Sequence, residues 1–225
     1  MPINIQYFGH SGYVIDDGTH RVAIDLFLTD NPLTEAKPEN IKCDYVALTH
    51  AHEDHFGEDT LTIAKNNNAT VIAAYELANF IGSKGIEEIE PGGVGGRIKT
   101  DFGYIAFTQA LHSSSYLGNA MGAPCGLIIN IGGINIYHTG DTDIFSDMKL
   151  IGERYQPHVA MLPIGDRFTM GPETASLAAD YIGAKYAVPN HYNTWPPITA
   201  NVEDFKPSKS EVKVLQPGET WTLNP

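Results

Sequence analysis

The sequence predicts a globular protein of the mixed α/β (α+β) class, built on β-sheets and carrying a metal site on its loops. Short runs of strand-forming residues recur along the whole chain, whereas only four segments have the composition of helices. Residues of metal-ligand type directly follow several predicted strands. Hydrophobic residues make up 42% of the 225 residues, which is enough for one large core, so residues 1–225 are predicted to form a single domain.

The first half of the chain begins as a predicted β-meander with short turns. Its strands are recognised by apolar or alternating runs between Gly, Asp and Asn, and the first run alternates as an edge or half-buried strand does. The predicted strands are 3–8, 13–15, 21–24, 45–48 and 70–74. The predicted helices are 58–65 and 75–81. The polar segment 29–44 contains Pro32 and Pro38 and is predicted to be a loop or a short helical turn.

The second half continues the same mixture of strands and helices. Its predicted strands are 103–111, 126–131, 134–138, 158–163 and 186–189, with one or two more in the tail at 212–215 and 220–221. Its predicted helices are 146–153 and 172–181. The Gly-rich segment 91–96 lacks the Lys-Ser/Thr ending of a phosphate-binding loop, and no helical pattern follows it. It is therefore predicted to be a turn between strands.

The stretch from Thr49 to His55 organises the chain, because it concentrates metal ligands directly behind the predicted strand 45–48. It reads T-H-A-H-E-D-H, with three histidines and an aspartate among its last six residues. Neutral imidazole and carboxylate are the usual ligands of Zn, Fe, Mn and Ni. The alternative is a polar surface loop that is rich in histidine by chance. At this histidine content such a pattern is expected by chance in on the order of one chain in a thousand. The stretch therefore indicates a metal site.

Three further residues of ligand type, His112, Asp141 and His191, also stand just after predicted strands. A lone histidine after a strand is more often an ordinary hydrogen-bonded residue. Together with the cluster at 50–55, however, these three side chains complete two coordination shells on the loops of a rigid scaffold.

Charge and cysteine content narrow the functional classes. The net charge of −13 disfavours nucleic acid as a partner, because such a surface repels phosphate backbones. Cys43 and Cys125 have no metal or redox spacing and are predicted to be free buried thiols in a reducing compartment. No signal peptide is recognised before the first strand, and no apolar run approaches about 18 residues. We therefore expect a cytoplasmic protein that does not enter a membrane.

The pattern H-x-H-x-D-H at 50–55, followed by His112, Asp141 and His191, resembles the metallo-β-lactamase superfamily. This resemblance implies a four-layer αββα sandwich. Further motifs resemble an uncharacterised family of small metal-dependent hydrolases related to the L-ascorbate-6-phosphate lactonases. These motifs lie at 9–11, 111–115, 145–152, 162–166, 168–173 and 191–194. The chain departs from that family at Leu26, Ala51 and Glu53, where the family tends to have Pro, Gly and Gly, and none of these departures removes a ligand.

The resemblance also implies how the ligands are shared between two divalent ions. One ion is assigned His50, His52 and His112, the second is assigned the other three terminal ligands, and one carboxylate bridges both. The metal ligands are thus His50, His52, Asp54, His55, His112, Asp141 (the bridge) and His191. Zinc is expected, and Mn, Fe or Ni also suit an all-His/Asp set. Two ions ~3.5–4 Å apart share a hydroxide that attacks a carbonyl carbon or phosphorus.

The predicted activity is hydrolysis of a small ester, lactone, amide or phosphoester. Asp54 and His10 are the candidate catalytic residues. Asp54 is expected to accept a proton from the nucleophile, and His10 is expected either to line the pocket or to make a structural hydrogen bond. Asp25 is expected to support a ligand histidine. The alternatives are a di-iron oxidoreductase, which typically has Glu in place of His52 and an added flavin domain, a nuclease, or a non-catalytic descendant of the fold. We expect a small-molecule substrate and assembly into a homo-oligomer, because the related lactonases form oligomers.

Weaker candidates complete the predictions. Asp166 and Glu173 are predicted to support a ligand or to cap the following helix. Four large side chains are predicted either to wall the pocket or to pack elsewhere: Phe168, Met170, Tyr192 and Trp195. The remaining histidines are predicted to be ordinary: His20, His138 and His158.

Overall fold

A seven-stranded sheet forms the first half of the structure, a computed structural model that describes residues 2–224. Its strands are β1 (Ile3–Tyr7), β2 (Tyr13–Asp16), β3 (Arg21–Ile24), β4 (Tyr45–Ala47), β5 (Thr70–Ala74), β6 (Ile89–Gly92) and β16 (Thr220–Leu223). They lie in the order β16-β1-β2-β3-β4-β5-β6. The last four strands in this order, β3 to β6, are parallel to one another.

A second seven-stranded sheet follows in the chain. Its strands are β7 (Arg97–Thr100), β8 (Gly103–Gln109), β11 (Cys125–Ile131), β12 (Ile134–His138), β13 (Val159–Pro163), β14 (Tyr186–Asn190) and β15 (Glu211–Val212). They lie in the order β15-β14-β13-β12-β11-β8-β7, with β12 to β15 parallel. A small separate hairpin pairs β9 (Ser115–Tyr116) with β10 (Asn119–Ala120).

The two sheets pack face to face, and helices cover their outer faces. Ile5 and Ile15 of the first sheet share one buried cluster with Phe107 and Leu127 of the second. Helices α1 (Glu58–Asn67) and α2 (Tyr75–Ser83) pack in a cluster with the outer face of the first sheet. Helices α3 (Met148–Tyr155) and α4 (Pro172–Ile182) do the same on the second sheet. The predicted four-layer αββα sandwich is therefore confirmed.

The loops at one edge of this sandwich are where the parallel strands end. Strands β3, β4, β12 and β14 all run toward that edge, and so do β1 and β8, which are each separated from a parallel strand by one antiparallel neighbour. Every predicted metal ligand follows one of these strands. The topology therefore collects residues that are far apart in the chain at a single edge.

Several element boundaries differ from the predicted ones. Strands β6 and β7 lie outside the predicted strands, because residues 89–100 mix charged residues, Pro and Gly and show no clear apolar period. Strand β8 ends at Gln109 and not at residue 111, and α3 begins at Met148 and not at residue 146. Strand β1 pairs on both sides, so it is a half-buried interior strand and not an edge strand.

Cys43 and Cys125 are both free and buried, as predicted. The chain turns between β6 and β7 at residues 93–96, so the predicted turn at 91–96 begins two residues too early, because Pro91 and Gly92 belong to β6 and pair with β5. Among the helices described between residues 2 and 224, none has the length and hydropathy needed to cross a lipid bilayer.

Candidate metal centre

Three histidine side chains form the first cluster of the centre. His50 and His52 lie on the loop after β4, and His112 lies on the loop after β8. His50 Nε2 is 3.0 Å from His52 Nδ1, and His112 Nε2 is 3.2 Å from the same atom. His50 is buried, whereas His52 and His112 are half-buried. One nitrogen from each ring therefore converges on a common point.

A second cluster stands beside the first and contains Asp54, His55 and His191. His191 Nε2 is 3.5 Å from Asp54 Oδ2, and His55 Nε2 is 4.0 Å from Asp54 Oδ1. His191 follows β14 in the second sheet, while Asp54 and His55 belong to the first sheet's loop. The structure thus brings together side chains that are separated by more than a hundred residues in the sequence.

Asp141 stands between the two clusters. Its Oδ2 atom is 3.6 Å from His112 Nε2 in the first cluster, and 3.4 Å from His55 Nε2 and 3.0 Å from His191 Nε2 in the second. Gly140 makes this placement feasible, because its φ is +64° and a Cβ atom there would lie 2.6 Å from the Cys125 carbonyl oxygen. The short turn after β12 therefore delivers a carboxylate to the space that both clusters face.

The polar atoms of the centre are satisfied better by divalent cations than by hydrogen bonds to one another. Within residues 2–224, His55 Nε2, His191 Nε2 and Asp141 Oδ1 are buried and have no hydrogen-bond partner. Orphaned buried nitrogens and oxygens are costly unless something satisfies them. His50, His52 and His112 also point nitrogens at each other, and such an arrangement suits a cation that accepts lone pairs. The residues present therefore fit a metal centre of the His/Asp type.

Electrostatics divides the histidines into two groups. Burial disfavours the imidazolium of His191, but Asp141 and Asp54 outweigh burial and raise its pKa to about 9. Burial likewise opposes protonation of His55, yet Asp141, Asp54 and Asp25 hold its pKa well above the ordinary value. Burial lowers the pKa of the three histidines in the first cluster: His50, His52 and His112. The first cluster is thus neutral at pH 7, and the metal-free second cluster holds protons.

Metal binding at about pH 7 is therefore expected to release about two protons per chain, from His55 and His191, because a ligand imidazole must be neutral. The release from His191 should fade as the pH rises through about 9, the raised pKa of this ring, and the metal affinity should rise over the same interval. Titration calorimetry in two buffers of different ionisation enthalpy measures the protons released. Heats that are identical in both buffers at pH 7 would contradict this assignment.

Asp25 supports the ligand histidine His55, as predicted. His55 Nδ1 donates to Asp25 Oδ2 at 2.8 Å, which leaves Nε2 of the same ring free for a metal. The Thr49 amide donates to Asp25 Oδ1 at 2.9 Å, and the Thr49 hydroxyl donates to Asp25 Oδ2 at 2.5 Å. Asp25 is fully buried, and three donors therefore hold its carboxylate in one orientation.

His10 contacts the centre through Asp54. Its Nε2 atom lies 3.0 Å from Asp54 Oδ2, and its Nδ1 atom lies 2.7 Å from Thr194 Oγ1. The ring centroid is 4.0 Å from that of His191, and the side chain is fully buried. Of the two alternatives for His10, the structure shows the hydrogen bond. A cavity lies beside the centre and is lined by Asp54 and Trp195 among other residues, and His10 does not line it.

Three residues at the centre have left-handed backbone conformations: His10 with φ of 56°, Asp25 with φ of 43° and His191 with φ of 51°. For residues other than Gly this conformation costs about 1–2 kcal/mol each. Such conformations persist where the surrounding structure over-determines them, and they cluster at functional sites. The backbone is therefore held in costly conformations at the positions that carry ligands or their supports.

Some supporting residues escaped the sequence-based predictions. Thr49 and Thr194 orient Asp25 and His10, but threonine carries no ligand signal of its own. His138, predicted to be ordinary, accepts from the Gly140 amide at 3.1 Å through Nδ1 and donates to the Ser11 carbonyl at 3.0 Å through Nε2. His138 thus braces the turn that presents Asp141.

The predictions that Asp166 and Glu173 support a ligand or cap the following helix are wrong. Asp166 and Glu173 are exposed, neither contacts a ligand in the part of the chain that the structure describes, and α4 begins without a side-chain cap. Phe168 is 58% exposed and Met170 lies in the outer core, so neither walls the cavity.

Of the four large side chains considered as walls, only Trp195 borders the cavity beside the centre, and Tyr192 packs against the outer core. This cavity has a volume of about 600 Å³, and the predicted metal ligand Asp54 is among the residues that line it. Its size is in the range of sites that hold small molecules.

Comparison with known proteins agrees with this geometry. Residues 4–191 match the family model described as beta-lactamase superfamily domain. The chain is 45% identical to a UPF0173 metal-dependent hydrolase of Shouchella clausii, over 98% of this chain and 100% of that protein. It is 47% identical to a UPF0173 metal-dependent hydrolase of Bacillus mycoides over the same shares. The solved structure of a metallo hydrolase from the archaeon Ignicoccus hospitalis is 39% identical, with a TM-score of 0.91 over 100% of this chain and 99% of that one. The chain therefore belongs to the beta-lactamase superfamily and, within it, to the UPF0173 family of metal-dependent hydrolases.

Proposed function

We propose that the chain hydrolyses a small ester, lactone, amide or phosphoester at a centre of two divalent ions. The observation that carries this proposal is the position of Asp141, whose carboxylate faces both ligand clusters at 3.0–3.6 Å from His55, His112 and His191. A carboxylate between two ions offsets their mutual repulsion and sets their spacing. The names of the relatives support hydrolysis as the type of reaction.

The residues divide the work as follows. His50, His52 and His112 would hold one ion, and Asp54, His55 and His191 would hold the other. Zinc is the expected metal, and Mn, Fe or Ni also suit these ligands. When bound, two such ions supply Lewis acidity and lower the pKa of a water to near ~7. Asp25 keeps the His55 ring in the tautomer that presents Nε2.

Asp54 is the residue proposed to accept a proton as the reaction proceeds, and His10 positions it. Asp54 is partly exposed at the end of the cavity, so its carboxylate reaches a bound substrate. His10 holds Oδ2 of that carboxylate, and Thr194 holds His10 in turn. Burial opposes ionisation of Asp54, but His55, His10 and His191 keep its pKa well below the ordinary value. The carboxylate is therefore ionised and oriented before substrate arrives.

Two other activities on the same scaffold have less support. A di-iron oxidoreductase typically has Glu where this chain has His52, and His52 lies here within 3.2 Å of two other ligand rings. A nuclease needs a surface that attracts phosphates, and the cavity beside the centre is bordered by carboxylates and by no basic side chain.

The test is a substrate screen with protein that has been stripped and reloaded with Zn, Mn, Fe or Ni. Lactones, carboxylic esters, amides and phosphodiesters are each incubated with the loaded and the stripped protein. We expect hydrolysis of at least one of these classes that disappears on chelation and returns on reloading. If no class is hydrolysed with any of the four metals, the proposed function is wrong.

A further inference from the structure

The cavity beside the metal centre has a charge pattern that bears on its substrate. Asp54 borders it, and the Oδ1 atom of Asp54 lies 4.0 Å from His55 Nε2, a buried nitrogen with no hydrogen-bond partner in the described chain. Its other lining residues include parts of the loop after β3 and the start of α1. A substrate whose reacting bond lies at the centre would therefore extend its remaining groups along this cavity.

The charged side chains that border the cavity are all Asp or Glu. They are Asp30, Glu53, Asp54, Glu58 and Asp59, and among residues 2–224 no Lys, Arg or His borders the cavity. Two ions at the centre would more than offset Asp54 and Asp141, so the inner end of the cavity would be positive. The outer part, by contrast, would stay negative.

Four carboxylates besides that of Asp54 border the cavity, and three of them are available to a ligand. Asp59 is not, because its oxygens accept from the amides of Leu28 and Thr29 and from the Thr29 hydroxyl. Asp30, Glu53 and Glu58, by contrast, are exposed and take part in no ion pair or side-chain hydrogen bond among residues 2–224.

Aromatic rings line the same cavity as these carboxylates. Phe27 and Trp195 border the cavity with ring centroids 5.6 Å apart, and Tyr116 borders it near α1. Tyr116 borders the same cavity as Glu53 and Glu58, and burial first, and then the charges of these two carboxylates, raise the pKa of its hydroxyl. Aromatic faces and carboxylates together form the usual environment for an ammonium group.

We propose that the substrate is a small ester, lactone or amide that carries an ammonium group, with its reacting carbonyl at the metal centre and its cation among Phe27, Tyr116, Trp195, Glu53 and Glu58. This inference rests on the proposed hydrolytic function. It disfavours a second anionic group, so a phosphorylated lactone fits this cavity poorly. Hydrolysis breaks the acyl–oxygen or acyl–nitrogen bond, water supplies OH to the acyl group, and its remaining proton goes to the leaving oxygen or nitrogen.

Binding is measured first, because it does not depend on turnover. Choline and 3,3-dimethylbutan-1-ol have the same shape and differ only in the positive charge. Each is titrated into the metal-loaded protein in a Trp221→Phe background, so that fluorescence reports on Trp195. We expect choline to bind at least ~10-fold more tightly at low ionic strength, and this preference should shrink in high salt.

Variants then locate the charge that is responsible. Glu53→Gln with Glu58→Gln is expected to reduce the preference for choline by at least ~5-fold, because the carboxylates no longer attract the cation. Glu153→Gln is the matched control, since Glu153 is exposed on α3 and does not border the cavity. The same comparison is made for turnover with acetylcholine, 3,3-dimethylbutyl acetate and the anionic ester 4-acetoxybutanoate.

The outcomes separate the inference from the proposed function. Equal binding of choline and 3,3-dimethylbutan-1-ol, or a preference that survives in the double variant, overturns the inference whether or not esters are hydrolysed. A preference for choline that depends on both glutamates supports the inference. If that preference is found while no ester, lactone, amide or phosphoester is hydrolysed, the selectivity of the cavity for a cation is supported and the proposed hydrolytic function is wrong.

Discussion

Asp141→Asn is expected to lower the hydrolytic rate by at least ~10²-fold and to release at least one metal ion or lengthen the metal–metal distance. The reason is that Asp141 Oδ2 faces rings of both clusters, so one substitution weakens both metal sites. Asparagine keeps the size of the side chain but removes the charge that offsets the repulsion between the ions, and positioning and charge stabilisation are then damaged together. Metal content and turnover are measured on the same preparation.

Asp143→Asn serves as the control for Asp141. Asp143 is exposed two residues further along, and its carboxylate accepts only from the Ile144 amide, at 2.7 Å. This variant should keep two metals and wild-type turnover. Circular dichroism should show that both variants are folded, because the residue at 141 lies on a loop beyond β12. A folded Asp141→Asn protein with two metals and wild-type turnover would show that Asp141 does not bridge.

Asp25→Asn is expected to weaken metal binding by ~10–100-fold, although Asp25 is assigned to neither ion. Both oxygens of Asp25 accept from donors, namely the Thr49 amide, the Thr49 hydroxyl and the His55 ring. Whichever way an asparagine is turned, its amide nitrogen faces one of these donors. The site then leaves a buried donor without a partner, at a cost of about 1–3 kcal/mol, and the His55 ring is no longer held. Competition with a chromophoric chelator measures the metal affinity.

Asp44→Asn is the matched control for Asp25, since Asp44 precedes β4 at the end opposite to the metal ligands. Its carboxylate is exposed and accepts from the Arg21 amide at 2.8 Å, a bond that asparagine retains through its oxygen. The metal affinity of this variant should equal that of the wild type. An Asp25→Asn protein with wild-type metal affinity would mean that the hydrogen bond to His55 does not hold the ligand in place.

The ligand set illustrates what local pattern can predict. His112, Asp141 and His191 each follow a strand whose apolar run is visible in the sequence, and the structure places all three at one edge of the sandwich. This works because parallel strands in packed sheets end at a common edge. Asp25 was predictable as a support for the same reason, since it follows β3, the neighbour of β4.

The supports contributed by remote segments were not predictable in the same way. Thr194 contacts His10 across 184 positions of the chain, and no period or spacing in the sequence announces such a pair. Strands β6 and β7 were missed because their residues are half-buried or exposed and include Pro and Gly. Their pairing depends on neighbouring strands and not on their own composition.

The charge of the cavity could be predicted only in part from the sequence. In the sequence, Glu53 lies between two predicted metal ligands, His52 and Asp54. Its meaning appears only in the structure, where Glu53 and Glu58 border the same cavity as Trp195. A loop from the second sheet supplies that tryptophan, so the lining of the cavity depends on the packing of the two halves.

Anomalous diffraction from crystals of the metal-reconstituted protein, recorded on both sides of the absorption edge of the metal, tests the central claim most directly. We predict two peaks per chain. One peak should lie within bonding distance of His50, His52 and His112, and the other within bonding distance of Asp54, His55 and His191, with Asp141 in contact with both. A single peak, no peak, or peaks bound by other side chains would contradict the two-ion centre.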